Sequence, residues 1–136
     1  MRLLPLVLAL GAAALHGCAA GGAVWVGGSP LTGRWGGAHA DLTLTPSGGT
    51  IEYDCAHGGL IAPLVPDGAG AFSVVGVHVP ERGGPVREGE VPDSLPARFV
   101  GQLSRDRMTL RVLVGSDTLG PFELQLGAAP LLFRCL

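Results

Sequence analysis

The chain has 136 residues, with nine basic and eleven acidic side chains and a net charge of −2 when histidine is counted as neutral. All nine basic residues are arginine and no asparagine occurs, which excludes lysine-based Schiff-base chemistry, an N-glycosylation acceptor and an Asn-Gly hairpin turn. A slightly acidic balance also argues against a nucleic-acid partner, which would call for a clustered basic surface to neutralise phosphates.

Residues 1–17 read as a lipoprotein signal peptide. Arg2 supplies one positive charge, and the 13 residues from Leu3 to Leu15 carry none. A spanning helix needs about 20 apolar residues, whereas a short apolar run between a positive start and small residues is a secretory signal. The segment Leu15-His16-Gly17-Cys18-Ala19-Ala20 resembles the lipobox of bacterial lipoproteins. That resemblance implies an acylated (palmitate-bearing) Cys18, removal of the peptide before it, and a protein held by its lipid at the cell envelope, facing the periplasm or the exterior. Ala19 after the cysteine resembles the outer-membrane sorting pattern of hosts with two membranes. The alternative is plain secretion, with cleavage near Ala19 or Ala20.

Three cysteines are an odd number for an exported chain. With Cys18 lipidated, Cys55 and Cys135 remain as a disulfide pair for an oxidising compartment. Their bond would close a loop of about 80 residues, worth about 4–5 kcal/mol in the chain-entropy model. No Cys-x-x-Cys occurs to suggest a zinc or redox centre.

Residues 18–32 are rich in glycine and small side chains, without charge, and read as a flexible linker. Trp25 is its exception, suited either to a membrane interface or to packing on the domain. Residues 33–136, 104 in all, are one domain's worth of chain.

Within that domain the hydrophobic period is two. A first strand, headed by Gly33, runs to Thr45 with Leu42 and Leu44 on its inner face. After Pro46-Ser47-Gly48-Gly49, Ile51, Tyr53 and Cys55 share a face over residues 50–55. A turn centred between Ser47 and Gly48 pairs Leu44 with Ile51 and Leu42 with Tyr53. Further strands are expected over residues 71–79, 97–103, 108–114, 122–126 and 131–135, with Leu103 opposite Met108 and Phe99 opposite Val112. About seven strands without a helical period predict an all-β antiparallel meander closing as a small barrel or barrel-like sandwich. Gly76 and Gly101 suit its sharp bends.

Gly33-Arg34-Trp35 is similar to the Gly-x-Trp of lipocalins, up-and-down barrels that carry small apolar ligands, and the resemblance implies that Arg134 covers Trp35. The runs Trp35-Gly36-Gly37, 51–58 and Phe133-Arg134-Cys135-Leu136 resemble uncharacterised small secreted or lipid-anchored bacterial proteins, a likeness that brings no activity with it.

Strand parity places His39 and Asp41 on the outer face and His57 in phase with inward Cys55, so these histidines do not share a metal. Asp41 falls opposite Asp54, with Glu52 along the same face. Opposed like charges are destabilising, so a nearby arginine or a bound cation at Asp41 and Asp54 is expected to compensate. No Gly-x-Ser-x-Gly elbow, phosphate loop or cofactor motif occurs. The sequence reads as a non-enzyme without a cofactor.

Residues 80–96 form a long connection holding four prolines and six charges. Connections beyond about 12–15 residues tend to be functional or disordered. Arg82, Arg87, Glu88 and Glu90 are its candidate contact residues, expected to emerge at the same end as the Ser47-Gly48 turn and the 115–120 loop. The functional expectation is a lipid-anchored binding module that contacts another envelope protein; the alternative is a lipocalin-like carrier of a small apolar ligand.

Overall fold

Glycine at both ends of Gly33-Arg34-Trp35-Gly36-Gly37 lets the first extended segment stop early, and the chain reverses at Ala38-His39 with His39 at φ 70°. The structure, a computed structural model describing residues 28–135, therefore divides the expected first strand into β1 (Gly33–Gly37) and β2 (Ala40–Thr45). The leader, Cys18 and Trp25 lie outside the described residues. Then follow β3 (Gly48–Tyr53), β4 (Ala56–Leu60), β5 (Ala71–Pro80), β6 (Leu95–Ser104), β7 (Arg107–Val114) and β8 (Asp117–Leu126). Each strand pairs antiparallel with the next, and β8 pairs back to β1 through Trp35↔Leu126, Gly36↔Gln125 and Gly37↔Leu124. The fold is an all-β closed eight-stranded meander barrel.

Residues 131–135 do not form the expected last strand. Closure of β1 on β8 abolishes free edges, so beyond β8 the chain makes only an isolated bridge, Leu131 to Ala38, and crosses the outside of β1. The additional strand, β4, lies in a stretch for which no strand was expected, and its adjacent glycines Gly58 and Gly59 both lie within the ladder. A Cβ on Gly58 would meet the Tyr53 hydroxyl at 2.8 Å, so the strand is thin where a phenol fills the barrel.

The β2–β3 register differs from expectation by two residues. The loop is Pro46-Ser47, so Leu42 lies across from Ile51, Ala40 from Tyr53 and Asp41 from Glu52. A shift of two preserves the side-chain faces, and Leu42, Leu44, Ile51 and Tyr53 all point inward as expected. The β6–β7 pairing Leu103↔Met108 and Phe99↔Val112 matches the sequence reading.

Inward side chains of all eight strands meet in one core, with Trp35, Leu42, Ile51, Phe99, Leu110 and Val112 at 1% exposure or less. Side chains complete the barrel interior, as eight strands allow. Gly76 and Gly101 sit under aromatic rings: an added Cβ would lie 2.5 Å from Phe99 and 2.6 Å from Phe72, respectively. An irregularity in the β7–β8 ladder lets Leu119 and Phe122 both pack on the core. Leu31 is buried and its N–H donates to the Leu64 carbonyl at 2.8 Å, so packing begins before Gly33, within the segment read as linker.

Strand alternation sorts the connections between two ends. Thr32, the Pro46-Ser47 turn, residues 61–70 and the Arg105-Asp106 turn lie at the entry end. The turns Ala38-His39, Asp54-Cys55 and Gly115-Ser116 share the opposite end with residues 81–94. The long connection thus emerges beside the Gly115 turn, as expected, but opposite the Ser47 turn. The unanticipated β4 inverts that relationship.

Candidate functional site

The loop end is assembled from three turns, the long connection and the C-terminal tail. Asp54-Cys55 is a two-residue turn with Cys55 at φ 59°, and it pairs Tyr53 with Ala56. Both flanking residues face the core, so His57 emerges on the outer surface opposite Glu52. The expected inward His57 is thereby corrected: the reversal at Cys55 resets the parity.

The tail is held over this turn. The Phe133 amide donates to Asp54 Oδ1 at 2.7 Å, and Asp54 Oδ2 lies 2.5 Å from His39 Nδ1. The His39 and Phe133 rings are 5.4 Å apart. Cys55 and Cys135 form the expected disulfide, with Cα atoms 5.1 Å apart. It joins a turn to the tail, however, and the sheet closes through β1 and β8 instead. The Phe133 amide, helped by His39, holds the Asp54 carboxyl below its ordinary range against an opposing burial effect.

Asp41 and Asp54 are not opposed. Asp41 receives Arg34 bidentately, Nε at 2.9 Å and Nη2 at 2.7 Å, which is the arginine compensation anticipated for this face. Asp54 instead serves the tail. The structure therefore gives each acid its own partner and does not assemble the pair as a shared cation site.

His78 points into the barrel and is the buried polar side chain of the described core. Its Nδ1 lies 3.3 Å from the Tyr53 hydroxyl, and Tyr53 stacks on Phe122 at 5.8 Å. Burial, with the imidazole of His57 nearby, pushes the His78 imidazole below its ordinary pKa. Burial, with Glu52, pushes the Tyr53 phenol up. A period-two pattern places His78 inward but does not identify these partners.

Arg82, Arg87, Glu88 and Glu90 are all exposed in the long connection. Arg82 Nη2 donates to Asp93 Oδ2 at 2.5 Å and clasps the base, while the Glu90 amide donates to the Arg87 carbonyl at 3.0 Å and folds the tip. The connection overhangs a cleft of about 660 Å³ lined by His57, Val79, Glu81, Val86, Val91 and Asp93, among others. Val86 and Val91 are 78% and 82% exposed. A second depression of about 420 Å³ lies beside the tail, between Glu52, Tyr53, Glu81, Phe133 and Arg134. Arg134 stands there, exposed, whereas the Trp35 indole N–H is directed to the Thr32 carbonyl at 3.3 Å.

Sequence reasoning missed Glu81 and its closeness to His57, whose Nδ1 lies 3.4 Å from Glu81 Oε1. The signal lay in pairing β4 with β5, which the sequence reading lacked because it assigned no strand to residues 56–60. Compared with known protein families, curated proteins and solved structures, the chain has no significant match to any of them.

Proposed function

We propose that the protein is a lipid-anchored envelope protein acting as a non-catalytic binding module, with residues 81–94 and the cleft beneath them as its contact surface. The supporting observation is polarity along the barrel: the chain enters at one end and the cleft opens at the other. With β5, β6 and β8 ten residues long and tilted as barrels require, their two ends stand roughly 25 Å apart. A lipid on Cys18 would then sit on the entry side, leaving the cleft facing away from the membrane. Arg82–Asp93 pre-folds the loop, which lowers the ordering entropy a partner must overcome. Val86 and Val91 offer apolar contact amid charges.

The competing reading, a lipocalin-like carrier, requires apolar space inside the barrel. Its inward positions are occupied by Trp35, Phe99, Met108 and Leu110, packed in one core, and the two depressions described lie at the rim.

Site-specific photo-crosslinking in intact envelopes tests the proposal. A crosslinker at Val86 or Val91 is expected to trap a discrete partner, and one at Ser47, at the entry end, is not. Replacing Arg82, Arg87, Glu88 and Glu90 with serine should abolish the product. Equal crosslinking from both ends, or capture unaffected by the serine variant, would overturn it.

A further inference from the structure

We propose that Glu52, His57 and Glu81 form a binding site for a divalent transition-metal ion of the zinc class on the outer wall of the barrel. The site shares His57 and Glu81 with the lining of the cleft assigned to docking, but it does not require that a partner bind there. Glu52 on β3 lies directly across from His57 on β4, both facing out because of the intervening turn. His57 pairs in turn with Val79 on β5, and two residues onward, just past the end of that strand and beside Cys55, Glu81 follows on the same outer wall. One donor atom from each side chain lies within 4.8 Å of the other two. Around zinc, His nitrogen and carboxylate oxygen sit at about 2.0–2.2 Å from the ion, so modest rotamer adjustment brings all three to a common centre.

The backbone beneath these side chains is fixed. The Glu81 amide donates to the Cys55 carbonyl at 2.9 Å, and Cys55 is tied to Cys135. Two neighbouring strands and the first residue past β5, which is hydrogen-bonded to a cross-linked turn, thus present the donors on a fixed backbone. Two carboxylates share the patch, and among the described residues neither forms an ion pair with an arginine. Arg134 lines the adjoining depression without coming within ion-pair distance of them. With a neutral imidazole the cluster carries two negative charges, which a divalent ion balances. Imidazole suits zinc, copper, iron and nickel, whereas calcium and magnesium take oxygen donors, so the donor set favours the first group.

Three protein ligands also leave a coordination position open. His57 and Glu81 line the large cleft, and Glu52 and Glu81 line the smaller depression. The open position therefore lies between two solvent-filled hollows, accessible to water or to a donor group from outside.

Zinc titration of the purified, chelator-stripped protein is the test, read by calorimetry together with the His57 imidazole resonances. One equivalent of zinc is expected to bind saturably and to shift His57, with a large excess of calcium failing to displace it. Glu52→Gln, His57→Gln and Glu81→Gln should each weaken zinc binding at least tenfold while leaving the circular dichroism spectrum unchanged. His39→Gln and Glu90→Gln, at the same end of the barrel, should bind as the parent does. Absence of one-equivalent binding would overturn the proposal. So would zinc binding that survives His57→Gln, or that calcium displaces at equal concentration, since either would mean a diffuse acidic face.

Discussion

The Phe133 amide and the Asp54 carboxylate, 79 residues apart in sequence, meet at 2.7 Å and fasten the C-terminal tail to the β3–β4 turn. His39 takes the other carboxylate oxygen, so one side chain joins two turns and the tail. Asp54→Ala is expected to loosen the tail around Phe133, which Cys55–Cys135 still tethers, while leaving the barrel closed, because the β1–β8 ladder does not involve Asp54. A charge-assisted hydrogen bond is worth about 1.5–3 kcal/mol, and exposure reduces this to about 1 kcal/mol here. Amide exchange at Phe133 and Leu131 should accelerate, with that of Leu110 nearly unchanged; equal acceleration at Leu110 would show that Asp54 supports the whole fold.

Acid should have the same local effect. The folded-state pKa of Asp54 is lowered from 3.8, chiefly by the Phe133 amide. Its stabilising contribution is therefore fully present above the ordinary carboxylate value and lost as pH falls below 3.8 through the lowered one. Tail resonances titrating in that window, and ceasing to do so in Asp54→Asn, are the expected observation.

Reduction of Cys55–Cys135 should lower the melting temperature without abolishing β-structure. The bond encloses an 80-residue separation, for which the chain-entropy model gives about 4–5 kcal/mol. No ladder of the barrel pairs Cys55 or Cys135. Loss of the β-sheet circular dichroism signal at 25 °C on Cys135→Ser would contradict this account.

Gly101→Ala is expected to destabilise by about 1–3 kcal/mol or more, the usual cost of overpacking. Its new Cβ would meet the Phe72 ring at 2.6 Å and also crowd the Thr109 carbonyl. Gly115→Ala, where a Cβ meets nothing within 4 Å but φ is +59°, should cost less. Chemical denaturation of the two variants gives the comparison, and an equal loss would mean that the structure relaxes around Gly101, so that crowding there does not dictate glycine.

Phe99→Ala should create an apolar cavity, at a cost of about 3–5 kcal/mol, because Phe99 is wholly buried at the centre of the core. An apolar fluorescent probe should bind this variant and not the parent. Saturable probe binding by the parent would favour the carrier reading over the binding module.

Cys18→Ala should move the protein from the membrane fraction to the aqueous one, and mass spectrometry of the parent should find acyl chains on Cys18. Multiple chains give lasting anchorage where one is marginal. Membrane partitioning by Cys18→Ala would place the anchor elsewhere.

Period-two alternation determined the fold class, the inward positions of Leu42, Leu44, Ile51, Tyr53, Phe99 and Val112, and the β6–β7 register. These follow from local polarity, because any strand with one buried face must alternate. The two remaining cysteines likewise implied their partnership. What the sequence left open required contacts between distant segments. Whether Ala56-His57-Gly58-Gly59-Leu60 is a strand depends on β3 and β5 flanking it and on Tyr53 using the space its glycines leave. That one strand decides which end carries residues 81–94, which way His57 faces and whether Glu52, His57 and Glu81 meet. Closure of β8 on β1 likewise turned residues 131–135 from an expected strand into an outer tail, since a closed barrel offers no edge to extend. Local pattern specifies faces; tertiary closure specifies neighbours, and the candidate site consists of neighbours.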